Sequence, residues 1–227
     1  MARWGVSLIV FAAGCGRLGF APDQPAPDAA SGPDAAGPAP DHRYRLEGMY
    51  ADDHGGPALV PQGGSFDAGG YRFGMNQGLG LSSAMPVAVY TIDIKIALDV
   101  MTDWRKVLDF KSLKDDSGLY VHTSQLAFVE DAGNQIFVSS PPLLIAATPF
   151  EVTLTRGTDG TVIGYVNRSM QFSISDSLGA GTFTDQNAFA DFGVDDMPTS
   201  QMEASPGEIR EIRIWSVALT PGQISQL

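Results

Sequence analysis

Ten consecutive residues, Thr91-Ile92-Asp93-Ile94-Lys95-Ile96-Ala97-Leu98-Asp99-Val100, carry an apolar side chain at every second position. Ile92, Ile94, Ile96, Leu98 and Val100 share one face, and Thr91, Asp93, Lys95 and Asp99 the other. A period of two turns one face to a core and the other to water, which suits a half-buried strand and no amphipathic helix. Shorter runs of the same kind occupy 105–110, 119–122, 125–129, 136–139, 151–156, 162–167, 171–174, 188–194 and 209–215. Turn signals separate them: Asp115-Asp116-Ser117-Gly118, Asp131-Ala132-Gly133-Asn134 and Thr158-Asp159-Gly160. Many short strands spaced about ten residues apart predict antiparallel sheets closed as a sandwich or barrel. The one helix expected is short. Thr220-Pro221-Gly222-Gln223 supplies a hydroxyl cap, a first-turn proline and a glutamine for a capping box, leading Ile224 and Leu227 to the end of the sandwich.

A different composition precedes the strands. A lone Arg3, a run over 4–13 that is apolar apart from Ser7, and the small residues Ala12, Ala13 and Gly14 form a secretory signal, too short to span a bilayer. Cys15 is the chain's single cysteine, so an internal disulfide is excluded. Ala12-Ala13-Gly14-Cys15 resembles the lipobox of bacterial lipoproteins, with Ala12 in place of the usual Leu. That resemblance implies a signal peptide over 1–14 and acyl chains on Cys15. Gly16, rather than Asp, after the cysteine points to the outer membrane. Residues 21–41 hold six Pro, seven Ala and four Asp, with no Lys, Arg or aromatic residue. Such a segment buries too little apolar surface to offset its ordering entropy, and extended polyproline II reaches up to about 65 Å. Residues 15–41 read as a lipidated cysteine and a disordered stalk holding a domain away from a membrane.

That domain, 42–227, is strongly acidic. Residues 1–41 hold two of the 14 basic and four of the 26 acidic residues, so 12 face 22 beyond them, a net −10. Nucleic acid and anionic headgroups require a basic footprint and are excluded as partners.

The stretch Gly207-Glu208-Ile209-Arg210-Glu211-Ile212-Arg213-Ile214-Trp215-Ser216-Val217-Ala218-Leu219-Thr220 resembles the closing strand of LamG-like jelly-roll domains, of the concanavalin A-like lectin/glucanase superfamily. Residues 90–98 with 104–110 resemble that family's central strand pair, Ser117-Gly118-Leu119-Tyr120-Val121 its next strand, and 150–156 with 162–167 its hairpin. The opening, 44–60 with 74–81, also fits, so the resemblance covers 44–227. It implies an all-β, two-sheet antiparallel jelly-roll sandwich with Trp215 in its core. It also raises a calcium ion at the sandwich rim. Asp52-Asp53-His54-Gly55-Gly56 is similar to the family's first ligand element, but Arg210 stands where the closing strand carries Asp and would repel a cation. Asp195-Asp196 is a weaker candidate. No metal site and no cofactor is assigned.

Glucanases of this fold place two glutamates on one strand as E-x-D-x-x-E, because glycoside cleavage needs an acid and a nucleophile. The nearest spacing is Glu208 to Glu211, which lacks the Asp and is expected on opposite strand faces. His42, His54 and His122 accompany no G-x-S-x-G elbow and no zinc spacing. No catalytic residue is assigned, and the chain is read as a non-enzyme. Sugar binding needs exposed rings, and the candidates are Trp104, on a polar turn, Tyr120 and Tyr165. Asn167-Arg168-Ser169 reads as a hairpin turn. The expected function is a membrane-anchored, non-catalytic binding module on the cell envelope, recognising glycan or a protein partner. The alternative is a structural or adhesion component without a small ligand, and a glycan-active enzyme comes third.

Overall fold

The computed structural model describes residues 37–83, 85–130, 135–138, 144–183 and 189–227, of which 135–138 and 189 are backbone only. Cys15, the signal segment, most of the stalk and the turn 131–134 lie outside the described residues. The elements are β1 (His42–Tyr44), β2 (Val60–Pro61), β3 (Ser65–Phe66), β4 (Tyr71–Phe73), β5 (Leu79–Ser82), β6 (Tyr90–Leu98), β7 (Trp104–Asp109) and β8 (Gly118–His122). They continue with β9 (Gln125–Glu130), β10 (Gln135–Val138), β11 (Phe150–Arg156), β12 (Thr161–Val166), β13 (Ser169–Ser175), β14 (Phe189–Phe192), β15 (Gly207–Trp215) and α1 (Pro221–Ile224).

Two antiparallel sheets form a sandwich. One runs β13-β12-β11-β6-β15-β4-β3, with β1 added beside β4 on β15; the other runs β10-β9-β8-β7-β14-β5-β2. The alternating run is the centre of the first sheet. Ile94 of β6 pairs with Val152 of β11 on one side and Ile212 of β15 on the other, so three apolar side chains point into the core at one level. Ile92, Ile96, Leu98, Leu154, Ile209 and Ile214 extend that surface, and Leu79, Leu81, Leu108, Leu119, Val121, Phe128 and Phe192 answer it from the second sheet. Each such side chain stabilises the fold by roughly 1.5–3 kcal/mol on burial.

Local chemistry sets the corners. Asn167 and Arg168 take positive φ, 46° and 67°, and close the β12–β13 hairpin with the two-residue turn that matches strand twist. Thr220 caps α1 reciprocally, accepting from Gln223 N at 3.3 Å while Thr220 N donates to Gln223 Oε1 at 2.9 Å. The helix lies against the outer face of the first sheet rather than the sandwich end. There Ile224 and Leu219 pack with Trp215 and Tyr165 in a second apolar cluster. Trp215 is therefore not in the inter-sheet core. Ile212 and Ile214 point inward, so the next residue on a regular strand points out.

The stalk's last residues belong to the packed domain. Trp215 Nε1 donates to Pro38 O at 2.7 Å, Asp41 N to Ile214 O at 2.8 Å, and Ser216 N to Asp41 Oδ2 at 2.6 Å.

Candidate functional site

The outer face of the seven-stranded sheet carries a second set of alternating side chains. Leu119, Val121, Leu126 and Phe128 enter the core, which turns Tyr120, His122, Ala127 and Val129 outward on β8 and β9. On β7, Trp104 pairs with His122 and Lys106 with Tyr120. The Trp104 ring stacks on the His122 imidazole at 3.9 Å between centroids and meets Tyr120 edge-on at 5.7 Å. Trp104 itself is half-buried, packed on Tyr120, Ala127 and Val129.

Beneath the rings lies a buried polar network. Lys106 is fully buried, and its Nζ sits 2.5 Å from Asp196 Oδ2 and 3.0 Å from Asp109 Oδ2. A side chain on Gly118 would strike Lys106 Cε at 2.7 Å, so that strand position must stay bare for the lysine stem. The Tyr120 hydroxyl donates to Asp116 Oδ1 at 2.6 Å and lies 3.1 Å from Asp196 Oδ2. The segment between β14 and β15 folds over this network because its own groups are satisfied there. Asp195 Oδ2 accepts from Glu203 N at 2.7 Å, Asp196 Oδ1 accepts from Thr199 N at 3.0 Å, and Lys106 N donates to Glu203 O at 2.9 Å. Arg105 Nη1 holds the carbonyls of Met202 and Ala204, 3.2 and 3.3 Å away.

Negative charge exceeds positive in this region. Burial, then the charges of Asp116, Asp195 and Asp196, push the Glu203 carboxyl up to about 7, against the opposing pull of Lys106. Burial also raises Asp116, despite the Tyr120 hydroxyl it accepts. Asp191 reaches about 7 through burial, although Gln62 Nε2 donates to its Oδ1 at 2.5 Å. Asp196 is the exception: burial opposes its ionisation, but Lys106 and Thr199 more than offset that and hold it low. Burial, then Asp116, raises the Tyr120 phenol far above its usual range, which keeps it a donor.

Trp104, Tyr120, Val129, Asp116 and Glu203 line a cleft of about 100 Å³. An aromatic face beside carboxylate acceptors suits a ligand with an apolar ring face and polar N–H or O–H groups at its edge. Of the three aromatic residues expected to meet a ligand, only Trp104 offers an accessible ring. It begins a strand instead of sitting on a turn. Tyr120 lies at the floor with no exposed surface. Tyr165 lies on the other sheet, 2 % exposed beneath α1, and its hydroxyl has no hydrogen-bond partner among the described residues. Lys106, Asp116 and Glu203 were not expected as site residues. Parity on β7 was a signal for Lys106, but Glu203 sits on an irregular segment that gives none.

The outer face of the eight-stranded sheet is built differently. A bulge between Ile209 and Glu211 sends both Arg210 and Glu211 outward, so Glu208 and Glu211 share a face, contrary to the regular-strand expectation. Both are held by cations: Glu208 by Arg210, and Glu211 by Arg43 Nη2 at 2.7 Å and Lys95 Nζ at 2.5 Å. Burial opposes ionisation of Glu211, but those two cations leave its carboxyl below the usual range. A larger cleft of about 390 Å³ runs between Arg45, Glu47, Asp67 and Arg210, without an aromatic wall. In the 52–56 turn, Asp52 accepts from Arg43 N, His54 N and Gly56 N at 2.9–3.0 Å and meets His42 Nδ1 at 2.7 Å. Those donors more than offset its burial and lower its pKa. Among the described residues, no group of three or more His, Cys, Asp or Glu is arranged to hold a metal ion.

No protein-family model matches the sequence, and no curated protein matches it. Solved structures do. Domain 4 of AbnA, a GH43 extracellular arabinanase of Geobacillus stearothermophilus in complex with arabinotriose, superposes with a TM-score of 0.64 at 16 % identity, covering 82 % of this chain and 97 % of that one. The sialidase of Trypanosoma rangeli gives 0.61 at 13 % identity over 82 % of this chain. The binding domain of botulinum neurotoxin serotype D gives 0.59 at 12 % over 82 %. The chain spans 32 % of the sialidase and 50 % of the neurotoxin domain. By its two antiparallel sheets and these superpositions, the domain has the fold of a jelly-roll sandwich.

Proposed function

We propose that this chain is a glycan-binding module, exported and held at the bacterial outer membrane by acyl chains on Cys15, which binds its ligand without cleaving it. One observation carries the binding assignment: a partly exposed tryptophan, fixed by stacking on His122, beside a cleft edged by Asp116 and Glu203. The shared fold supports it, since the arabinanase domain of that architecture is in complex with arabinotriose. The composition of 21–41 supports a stalk, and the lipobox-like Ala12-Ala13-Gly14-Cys15 supports the anchor.

A glycan array probed with the purified chain tests the binding reading. Specific glycans should be retained by the native chain and lost with Trp104→Ala. Silence across the array would leave the structural or adhesion role. For the anchor, radiolabelled palmitate should enter the native chain and be absent from Cys15→Ala. Label surviving that substitution refutes lipidation at Cys15.

A further inference from the structure

We propose that the Trp104 cleft takes a positively charged sugar substituent, the ammonium group of an unacetylated amino sugar, with Glu203 and Asp116 as its counter-ions. The inference rests on the glycan reading and adds the charge of the ligand.

Charge imbalance around an aromatic wall carries the argument. Asp116 and Glu203 line the cleft, and Asp195 and Asp196 stand behind it on the segment that folds over β7. Asp195 is fully buried, and its Oδ1 has no hydrogen-bond partner among the described residues. The buried cation on this face, Lys106, is already shared by Asp196 and Asp109. Arg105 turns its Nη1 to two backbone carbonyls, and its Nε has no hydrogen-bond partner among the described residues. Of the other titratable neighbours, His122 stacks on Trp104 and Tyr120 meets it edge-on. Glu203 therefore faces three carboxylates against the shared Lys106, with no ion pair among the described residues, and a cationic ligand group would relieve that repulsion. A Trp face adds cation–π attraction for an ammonium group, and the same face supports the sugar ring that carries it. A cleft of about 100 Å³ fits such a substituent, with the ring resting on Trp104.

Calorimetry on the full chain at pH 7 provides the test, comparing an oligomer of glucosamine with the N-acetylated oligomer of equal length. The glucosamine oligomer should bind at least about tenfold tighter, a difference of about 1.4 kcal/mol. Glu203→Gln and Asp116→Asn should each cut that preference below about threefold, with melting curves showing that both variants fold. Trp104→Ala should remove binding of both oligomers. Glu47→Gln, a loss of acid in the loop after β1, beside Arg45 and Arg210, should retain the full preference. If Glu47→Gln loses it equally, the attraction is bulk charge and the proposal falls. It falls as well if the acetylated oligomer binds as tightly, or if Glu203→Gln keeps the preference. If neutral glycans bind the array through Trp104 without any amine preference, the charge assignment fails and the glycan reading stands. If no glycan binds at all, both fail. A calcium-dependent rise in melting temperature, abolished by Glu203→Gln, would give these carboxylates to a metal and overturn the proposal.

Discussion

The two outer faces of this sandwich carry similar residues in opposite electrostatic states. On the eight-stranded sheet, tryptophan and tyrosine lie under a helix, and acids meet cations: Glu211 with Arg43 and Lys95, Glu208 with Arg210, Asp93 with Arg213. On the seven-stranded sheet, the tryptophan is partly accessible, Asp109 and Asp196 share the buried Lys106, and burial raises the carboxyls of Asp116, Asp191 and Glu203. Matched charges under a cap stabilise a fold. Unmatched charges beside an open ring cost stability, and proteins keep such arrangements where something binds.

The largest expected effect separates the two tryptophans. Trp215→Ala removes a ring 2 % exposed that joins β15, α1 and the stalk, and should cost about 3–5 kcal/mol in denaturant unfolding. Trp104→Ala, on the open face, should cost only about 1–2 kcal/mol while abolishing ligand binding. Equal costs would erase the distinction between capped and open faces.

Next comes the buried ion pair. Arg213 Nη2 lies 2.7 Å from Asp93 Oδ2, and Asp93 is fully buried, with burial lifting it to about 6 even against that guanidinium. Arg213→Ala strands the carboxylate and should cost about 3 kcal/mol at pH 8. A loss below about 1 kcal/mol would show that the pair contributes little.

On the open face a substitution should stabilise. Asp191 is 1 % exposed, its Oδ2 has no partner among the described residues, and its folded pKa of about 7 exceeds the ordinary 3.8. The folded chain thus binds the extra proton, and native stability falls as pH rises from about 4 to about 7. Asp191→Asn removes that slope, so the variant should gain about 1–2 kcal/mol over the native chain at pH 8, shrinking towards pH 4. A pH-independent difference would contradict the assignment. The smallest effect belongs to the solvent-exposed pair: Arg210→Ala, losing Glu208, should change stability by less than about 0.5 kcal/mol.

Much of the architecture was legible in residue alternation. The long runs became β6, β11, β12 and β15, because side chains that alternate must face a core or water. The first five strands were not read individually. Each is two to four residues long, too short for a period to register, and each is fixed by its partner strand. Parity also decides Trp215: with Ile212 and Ile214 inward, it points out. The Arg210 bulge broke that same parity locally and put Glu208 and Glu211 on one face. As for the site, Trp104 stood out as an aromatic among charged residues. Its acidic companions did not, since Asp116 lies on the turn before β8, while Asp196 and Glu203 come from the irregular segment between β14 and β15, which meets Tyr120 across 76 residues of chain.

The indole N–H resonances of Trp104 and Trp215 report on the two faces within one nitrogen–proton spectrum. Titrating the purified chain with a glucosamine oligomer should shift the Trp104 signal and leave the Trp215 signal, whose N–H is bound to Pro38 O, in place. Movement of Trp215 with Trp104 unchanged would put the ligand on the capped face and contradict this account.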